Sequence, residues 1–268
     1  PYFIDYVRQY TDMPMLVRLV RKDGRLAPDR QLRASDFVGG LDEANNPEWK
    51  TVAIDGKSGE IVCPRGSIGF RWGEQGKWNL EERASNGAET ELALTLKGRE
   101  DEIAAVAFPY FGAVKHDHFH GTRHADVIEH KIPVKKLKLV DGECLVASVF
   151  DLFVANYGVD RGFGDQNAAK SYDYDAPYSP GWQEAITGVP REKVIAVARA
   201  FADNAEKTRG RSMVILGAGL NHWYHMDMNY RGIINMLVMC GCIGQSGGGW
   251  SHYVGQEKLR PQTGWLPL

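Results

Sequence analysis

Ser212-Met213-Val214-Ile215-Leu216-Gly217-Ala218-Gly219-Leu220-Asn221-His222 is a short continuous apolar run that breaks into two closely spaced glycines. A strand with one wet face would alternate, so an unbroken run of this length predicts a buried parallel strand. Glycines at the carboxyl end of such a strand let main-chain N–H groups approach a phosphate, and the next helix turns its positive end to the same place. Downstream, helical spacing predicts a helix over 226–242 that buries Ile233, Met236, Leu237 and Cys240. It runs into Gly244-Gln245-Ser246-Gly247-Gly248-Gly249-Trp250, and the two glycine loops are expected to face one concave site. This order fits a nucleotide. His222, however, stands where the nicotinamide fingerprint has its third glycine, which argues against an ordinary hydride-transferring site. A tight structural turn is the alternative reading of each loop. Asn221, His222, His225 and Asp227 crowd the first loop, either as hydrogen-bonding groups for a bound head group or as helix caps and a satisfied histidine.

Working outward, Pro190 suits a first helical turn, and Val194, Val197, Ala198 and Phe201 follow at helical spacing. A polar loop rich in Tyr and Gly fills 157–180. Residues 132–140 alternate, turn at Asp141-Gly142 and resume over 144–150, which predicts a hairpin with a charged outer face. Between Lys22 and Arg99, turn signals such as Asp23-Gly24, Asn45-Asn46-Pro47 and Asn86-Gly87 separate short apolar pieces. A hairpin is expected from 51–54 and 59–63, and Leu92, Leu94 and Leu96 fall on one face. A helix over 2–10 and a strand over 15–20 precede them. The expected class is α/β: an irregular α+β first half, residues 1–150, then a parallel-sheet α/β half, residues 151–268.

Composition narrows the functional classes. With 32 basic and 34 acidic side chains the net charge is −2, which gives no electrostatic footprint for nucleic acid or an acidic membrane surface. The 30 glycines make up about 11% of the 268 residues against a usual ~7%, so either turns or close backbone approaches are unusually many. The longest apolar stretch, 233–240, is far shorter than the ~20 residues of a membrane-spanning helix. Cys63, Cys144, Cys240 and Cys242 have neither CxxC nor zinc spacing, which makes a reducing compartment the default. Cys240 and Cys242, two apart on the predicted helix, point in different directions and read as core residues. His116, His118, His120, His124 and His130 beside Asp117 and Asp126 read as a solvated loop rather than a metal site, because turns and charges surround them. No Ser/His/Asp order, EF-hand loop or Walker A sequence is present. The first residues read as the interior of a helix, so the chain is expected to be an internal stretch of a longer polypeptide; loss of an initiator Met before Pro1 is the alternative.

Glu184-Ala185-Ile186-Thr187-Gly188-Val189-Pro190, Ala198-Arg199-Ala200-Phe201-Ala202, Gly217-Ala218-Gly219 and Gly241-Cys242-Ile243-Gly244-Gln245-Ser246-Gly247-Gly248-Gly249 resemble the pterin-dinucleotide-binding region of the dimethyl sulfoxide reductase family of molybdenum oxidoreductases. Tyr2-Phe3-Ile4-Asp5-Tyr6-Val7-Arg8, Asn45-Asn46-Pro47-Glu48-Trp49-Lys50, Gly66-Ser67-Ile68-Gly69-Phe70-Arg71-Trp72-Gly73, 220–232 and 255–265 resemble the branch whose catalytic subunits reduce nitrate in anaerobic respiration. That resemblance covers almost the whole chain and is weakest over 112–131.

It implies a Mo-bis(molybdopterin guanine dinucleotide) cofactor, with backbone contacts from Gly217, Gly219, Gly247, Gly248 and Gly249 and side-chain contacts from Asn221, His222, Ser246 and Trp250. It assigns no catalytic residue and no metal ligand here, because the family's Asp ligand and the His/Cys motif of its [4Fe-4S] cluster would lie upstream of Pro1. Nitrate as substrate, an iron–sulfur beta subunit, a haem-bearing membrane gamma subunit and a place at the cytoplasmic face of the bacterial inner membrane follow from the same resemblance. The stretch alone would be inactive, with apolar surface left uncovered. The alternatives are a nicotinamide-dependent dehydrogenase domain and a non-catalytic carbohydrate-binding module lined by Trp49, Trp72 and Trp78.

Overall fold

The computed structural model describes residues 4–66, 80–110 and 126–252. The chain forms two compact units that part between Ile195 and Ala196. In the first, α1 (Ile4–Tyr10) precedes β1 (Leu16–Lys22), β2 (Arg25–Gln31), β3 (Ala53–Ile54), β4 (Ile61–Val62), β5 (Glu102–Tyr110), β6 (Asp126–Leu139) and β7 (Gly142–Ser148). Then come α2 (Val149–Asn156), α3 (Pro180–Thr187) and α4 (Arg191–Thr208), the last running into the second unit.

Where the sequence predicts an irregular α+β layer, the structure holds a closed barrel in the order β1-β2-β5-β6-β7. Asp23 and Gly24, at φ 50° and 79°, make the left-handed two-residue turn whose twist matches the β1–β2 hairpin. β2 pairs in parallel with β5 through Leu26 and Val106, and β1 closes the barrel against β7 from Leu16–Ser148 to Leu19–Leu145. β6 serves two ladders, its first part on β5 and residues 135–139 on β7. The buried face changes between the two parts: Ile132 and Val134 are buried in the first, and Leu139 is buried with Lys136 and Lys138 exposed in the second. The expected pairing of 51–54 with 59–63 is the β3–β4 hairpin. Leu92, Leu94 and Leu96 are buried without forming a strand, since Ala93 between them is buried too and only Leu92 bridges, to Asp55.

The strand read over 144–150 stops at Ser148, whose hydroxyl accepts from the Asp151 amide and caps α2. Leu152 and Ala155 of α2 pack with Val17, Leu19, Val106 and Ile132 of the barrel. The first compact unit runs on to Ile195. Asp151 is fully buried, and its carboxylate accepts from Thr95 Oγ1 at 2.6 Å, the Leu96 amide at 2.8 Å, Ser148 Oγ at 2.8 Å and the Arg161 guanidinium. Trp72 and Trp78 lie outside the described residues, while Trp49 is exposed.

The second unit continues from α4 through β8 (Met213–Leu216), α5 (Ala218–Asn221), α6 (Met226–Met239) and β9 (Gly249–His252). β8 and β9 are parallel, in register from Met213–Gly249 to Leu216–His252. Ala205, Leu237 and Cys242 form the core with Phe201, Val214, Ile233, Cys240, Ile243 and Trp250. Ser212 Oγ donates to the Phe201 carbonyl and accepts from Asn204 Nδ2, which ties α4 to the start of β8. The apolar run of β8 is only half buried among the described residues: Val214 and Leu216 face the core, but Ile215 is 78% exposed and Met213 44%. α6 ends at Met239, three residues before the expected stop, and Gly241 follows at φ 62°. Cys240 and Cys242 therefore lie beyond the helix, yet both join the core.

Replacing Asp151 by Ala should cost about 3–5 kcal/mol, because it strands the mostly buried Arg161 charge. In the full-length protein, hydrogen exchange should lose protection at 95–97 and 148–161 together; loss confined to α2 would contradict this. A second expectation concerns acid. Burial alone would raise the Asp55 carboxyl, but hydrogen bonds from the Glu91 amide and from the Ser58 hydroxyl and amide outweigh it and bring it down to about 2. The unfolded chain takes up that proton near 3.8, so between the two values it binds more protons than the native state and acidification removes stability. Asp55→Asn should lower stability at neutral pH by about 1–2 kcal/mol and flatten the fall between about pH 4 and about pH 2 in acid unfolding followed by fluorescence.

Candidate functional site

Parallel pairing fixes which ends of the two strands meet. Leu216, the carboxyl end of β8, lies beside His252, and Gly249, the amino end of β9, lies beside Met213. The loop at 217–222 therefore opens at one end of the pair and the loop at 244–249 at the other, on the order of 10 Å away. The expectation of one concave site shared by both loops is overturned. The physical reason is the crossover itself, since the chain must travel back through α6 to start a second parallel strand at the opposite end.

At the carboxyl end, Gly217 and Gly219 are exposed, and a Cβ built on either would meet nothing within 4 Å. α5, which follows Gly217, has four residues and so little of the helix dipole expected there. Asn221 lies on α5, half buried, and accepts a hydrogen bond from the Tyr230 hydroxyl of α6. The same hydroxyl lies 3.1 Å from His252 Nε2. Trp250 and His252, two apart on β9, share a face, with their rings stacked at 6.0 Å and 12°. The Tyr230 ring meets Trp250 edge-on at 5.1 Å. The structure thus brings the predicted Asn221 and Trp250 together with Tyr230 and His252, which the sequence reading missed. The position of His252, two residues past Trp250, is the signal that marks it. His222 caps α5 and is exposed, as are His225 and Asp227; instead of crowding the loop, the His225 ring lies tilted against Tyr224 with centroids 4.0 Å apart.

At the amino end, the glycines answer to packing. A Cβ on Gly248 would stand 2.0 Å from the Gly210 carbonyl oxygen and 2.8 Å from that of Cys242, and one on Gly210 would stand 2.2 Å from the Gly241 oxygen. Gly249, at φ 93°, donates its amide to Ser212 and starts the β8–β9 ladder. Ser246 and Gly247 are exposed in the turn before it.

Other chemistry-bearing groups have structural work. His116, His118, His120 and His124 lie outside the described residues; His130 is buried, and its Nδ1 is 2.7 Å from Asp165, which pins the 157–180 loop to β6. Among the described residues no three His, Cys, Asp or Glu side chains converge as metal ligands. Burial, with Glu43 next, pushes the Cys63 thiol up to about 12, and burial also raises Cys240 and Cys242, so none is a thiolate at neutral pH. A cavity of about 520 Å³ beside Arg8, Glu82, Thr90 and Glu91 has its charges paired internally, Arg8 with Glu91 at 3.2 Å. No helix among the described residues is long and apolar enough to cross a membrane.

Sequence comparison bears on the carboxyl-end cluster. The chain is 64% identical over 269 residues to the respiratory nitrate reductase 2 alpha chain of Escherichia coli and 44% identical over 267 residues to the nitrate reductase alpha chain of Bacillus subtilis. It is 27% identical over 253 residues to the perchlorate reductase subunit alpha of Dechloromonas aromatica. These alignments cover 100%, 99% and 94% of the chain but 21% of each relative, so the chain spans about a fifth of their length. The family model for molybdopterin oxidoreductases matches residues 74–263, a stretch that takes in the whole of β8, α5, α6 and β9. On that match, and on relatives aligned from end to end of the chain, it belongs to the molybdopterin oxidoreductase family.

Proposed function

We propose that this chain is the part of a respiratory nitrate reductase catalytic subunit that helps to hold its Mo-bis(molybdopterin guanine dinucleotide), and that the whole protein reduces nitrate to nitrite. The observation that carries the substrate is the identity of 64% and 63% to two Escherichia coli respiratory nitrate reductase alpha chains, each aligned over the whole of this chain. When bound, the molybdenum–pterin group supplies the two-electron chemistry that takes one oxygen atom from nitrate, with two protons leaving as water.

The residues present fit such a group. Gly217 and Gly219 leave open space where any side chain would stand, so main-chain amides there are free to meet a phosphate. Asn221 and His222, half-buried and exposed at the same end, are side-chain contacts we propose beside them, with Trp250, opposite Val214 in the ladder, as a third. Ser246, Gly247, Gly248 and Gly249 act from the other end, where they set β9 in register. The family's [4Fe-4S] cluster, an iron–sulfur beta subunit, a haem-bearing gamma subunit and a peripheral place at the cytoplasmic face of the inner membrane belong to the same proposal. Of the two regions proposed at the outset, the cofactor-binding one corresponds to β8, α5, α6 and β9, with the barrel in the other.

Nitrite formation by the purified full-length protein with a reduced viologen tests the substrate; turnover of perchlorate but not of nitrate would refute it. Gly217→Val should fold normally, because its φ of −105° and open surroundings accept a side chain, yet lose most bound molybdenum. Gly248→Val should lower the thermal midpoint whether or not cofactor is bound. Equal molybdenum in Gly217→Val and parent would sink the proposed contact.

A further inference from the structure

We infer that Tyr230 is a positioning residue: its hydroxyl fixes Asn221 as a hydrogen-bond donor and His252 as an acceptor toward the amide edge of a fused-ring 2-amino-4-oxopyrimidine, the grouping shared by a pterin and by guanine. The inference rests on the cofactor reading above and adds to it two residues, Tyr230 and His252, and a direction for each hydrogen bond.

A phenol has one proton to give. Tyr230 donates it to Asn221 Oδ1, so toward His252, 3.1 Å away, its oxygen can only accept. In the neutral imidazole the proton is then on Nε2 of His252, which leaves Nδ1 with a bare lone pair. Asn221, with its carbonyl oxygen engaged, presents its Nδ2 amide outward. Neither Asn221 Nδ2 nor His252 Nδ1 has a partner among the described residues. Alone, each side chain is ambiguous, since an amide can turn over and an imidazole can change tautomer; a shared hydroxyl couples the two choices, and its donation to Asn221 Oδ1 selects this pair. The neighbours hold the hydroxyl still. The Tyr230 ring stands edge-on to Trp250, and Trp250 lies parallel to the His252 ring, which sets the imidazole plane. One outward donor and one outward acceptor tied to the same oxygen complement a ring carbonyl beside a ring N–H, and both lie at the strand end where Gly217 and Gly219 leave the backbone open.

Tyr230→Phe removes the hydroxyl and keeps the ring against Trp250. Full-length protein is purified as parent, Tyr230→Phe and Asn221→Asp, the last keeping the acceptor for Tyr230 while replacing the outward donor by an acceptor. Molybdenum, oxidised pterin and the guanosine monophosphate released by acid are measured, and cofactor-free protein is titrated with guanosine monophosphate and with 6-hydroxymethylpterin. Both variants should bind one of these two probes about tenfold more weakly than the parent, with the thermal midpoint of cofactor-free protein unchanged. Loss of the nucleotide assigns the edge to guanine, and loss of the pterin assigns it to the pterin ring. Unchanged affinity for both probes, or a lowered midpoint with unchanged affinity, overturns the inference. If the parent itself contains neither molybdenum nor pterin, the cofactor reading fails with it; if only the variants match the parent, the cofactor reading stands and the role of Tyr230 falls.

Discussion

The Asp151 carboxylate is the contact on which the first unit turns. A charge with no exposure to water survives only if its oxygens are filled, and here the partners come from three separated stretches: Thr95 and Leu96, Ser148, and Arg161. Arg161 is held in turn, since its other nitrogen donates to Thr95 Oγ1 at 2.7 Å and its guanidinium lies over the Phe150 and Phe163 rings. One buried charge thereby fastens the irregular segment before β5, the cap of α2 and the loop after it to the same point of the barrel. A neutral residue of similar size could pack there, but it could not address three partners at once.

The second unit solves a different problem, that of bringing backbones together. Gly210, Gly241 and Gly248 sit so close that a methyl group on either Gly210 or Gly248 would overlap a carbonyl oxygen, and this contact sets where β9 starts beside β8. Gly217 and Gly219 meet nothing. The same residue type thus serves closure at one end of a strand pair and openness at the other, and only the second kind leaves room for a ligand.

Local patterns were readable in advance, and long-range ones were not. The run before Gly217 and the helical spacing of Ile233, Met236 and Leu237 are properties of a few adjacent residues, and β8 and α6 lie where those patterns put them. β2 escaped because Pro28 and the charges at Arg25, Asp29 and Arg30 look like a turn, and β5 because the small side chains of Ala104, Ala105 and Ala107 carry a weak signal. Barrel closure depends on pairing Leu16 with Ser148, which no window of sequence contains. For the candidate site, Asn221 and Trp250 stand out by type and position. Tyr230 and His252 enter only once the crossover has laid α6 over β9, because the geometry that joins them is tertiary.

Closing the barrel through β1 and β7 also sets a timetable. A chain emerges from the ribosome at roughly 5–20 residues per second, so the β1–β2 hairpin waits on the order of ten seconds before β7 exists to cover its edge. During that interval an apolar hairpin would recruit neighbouring nascent chains. This one carries Arg18, Arg21, Lys22, Arg25 and Arg30 among its apolar residues, and Pro28, which cannot donate to a ladder, leaves a gap among the donors of its second strand. The features that made β2 hard to recognise as a strand are those that keep it from pairing with the wrong partner while it waits.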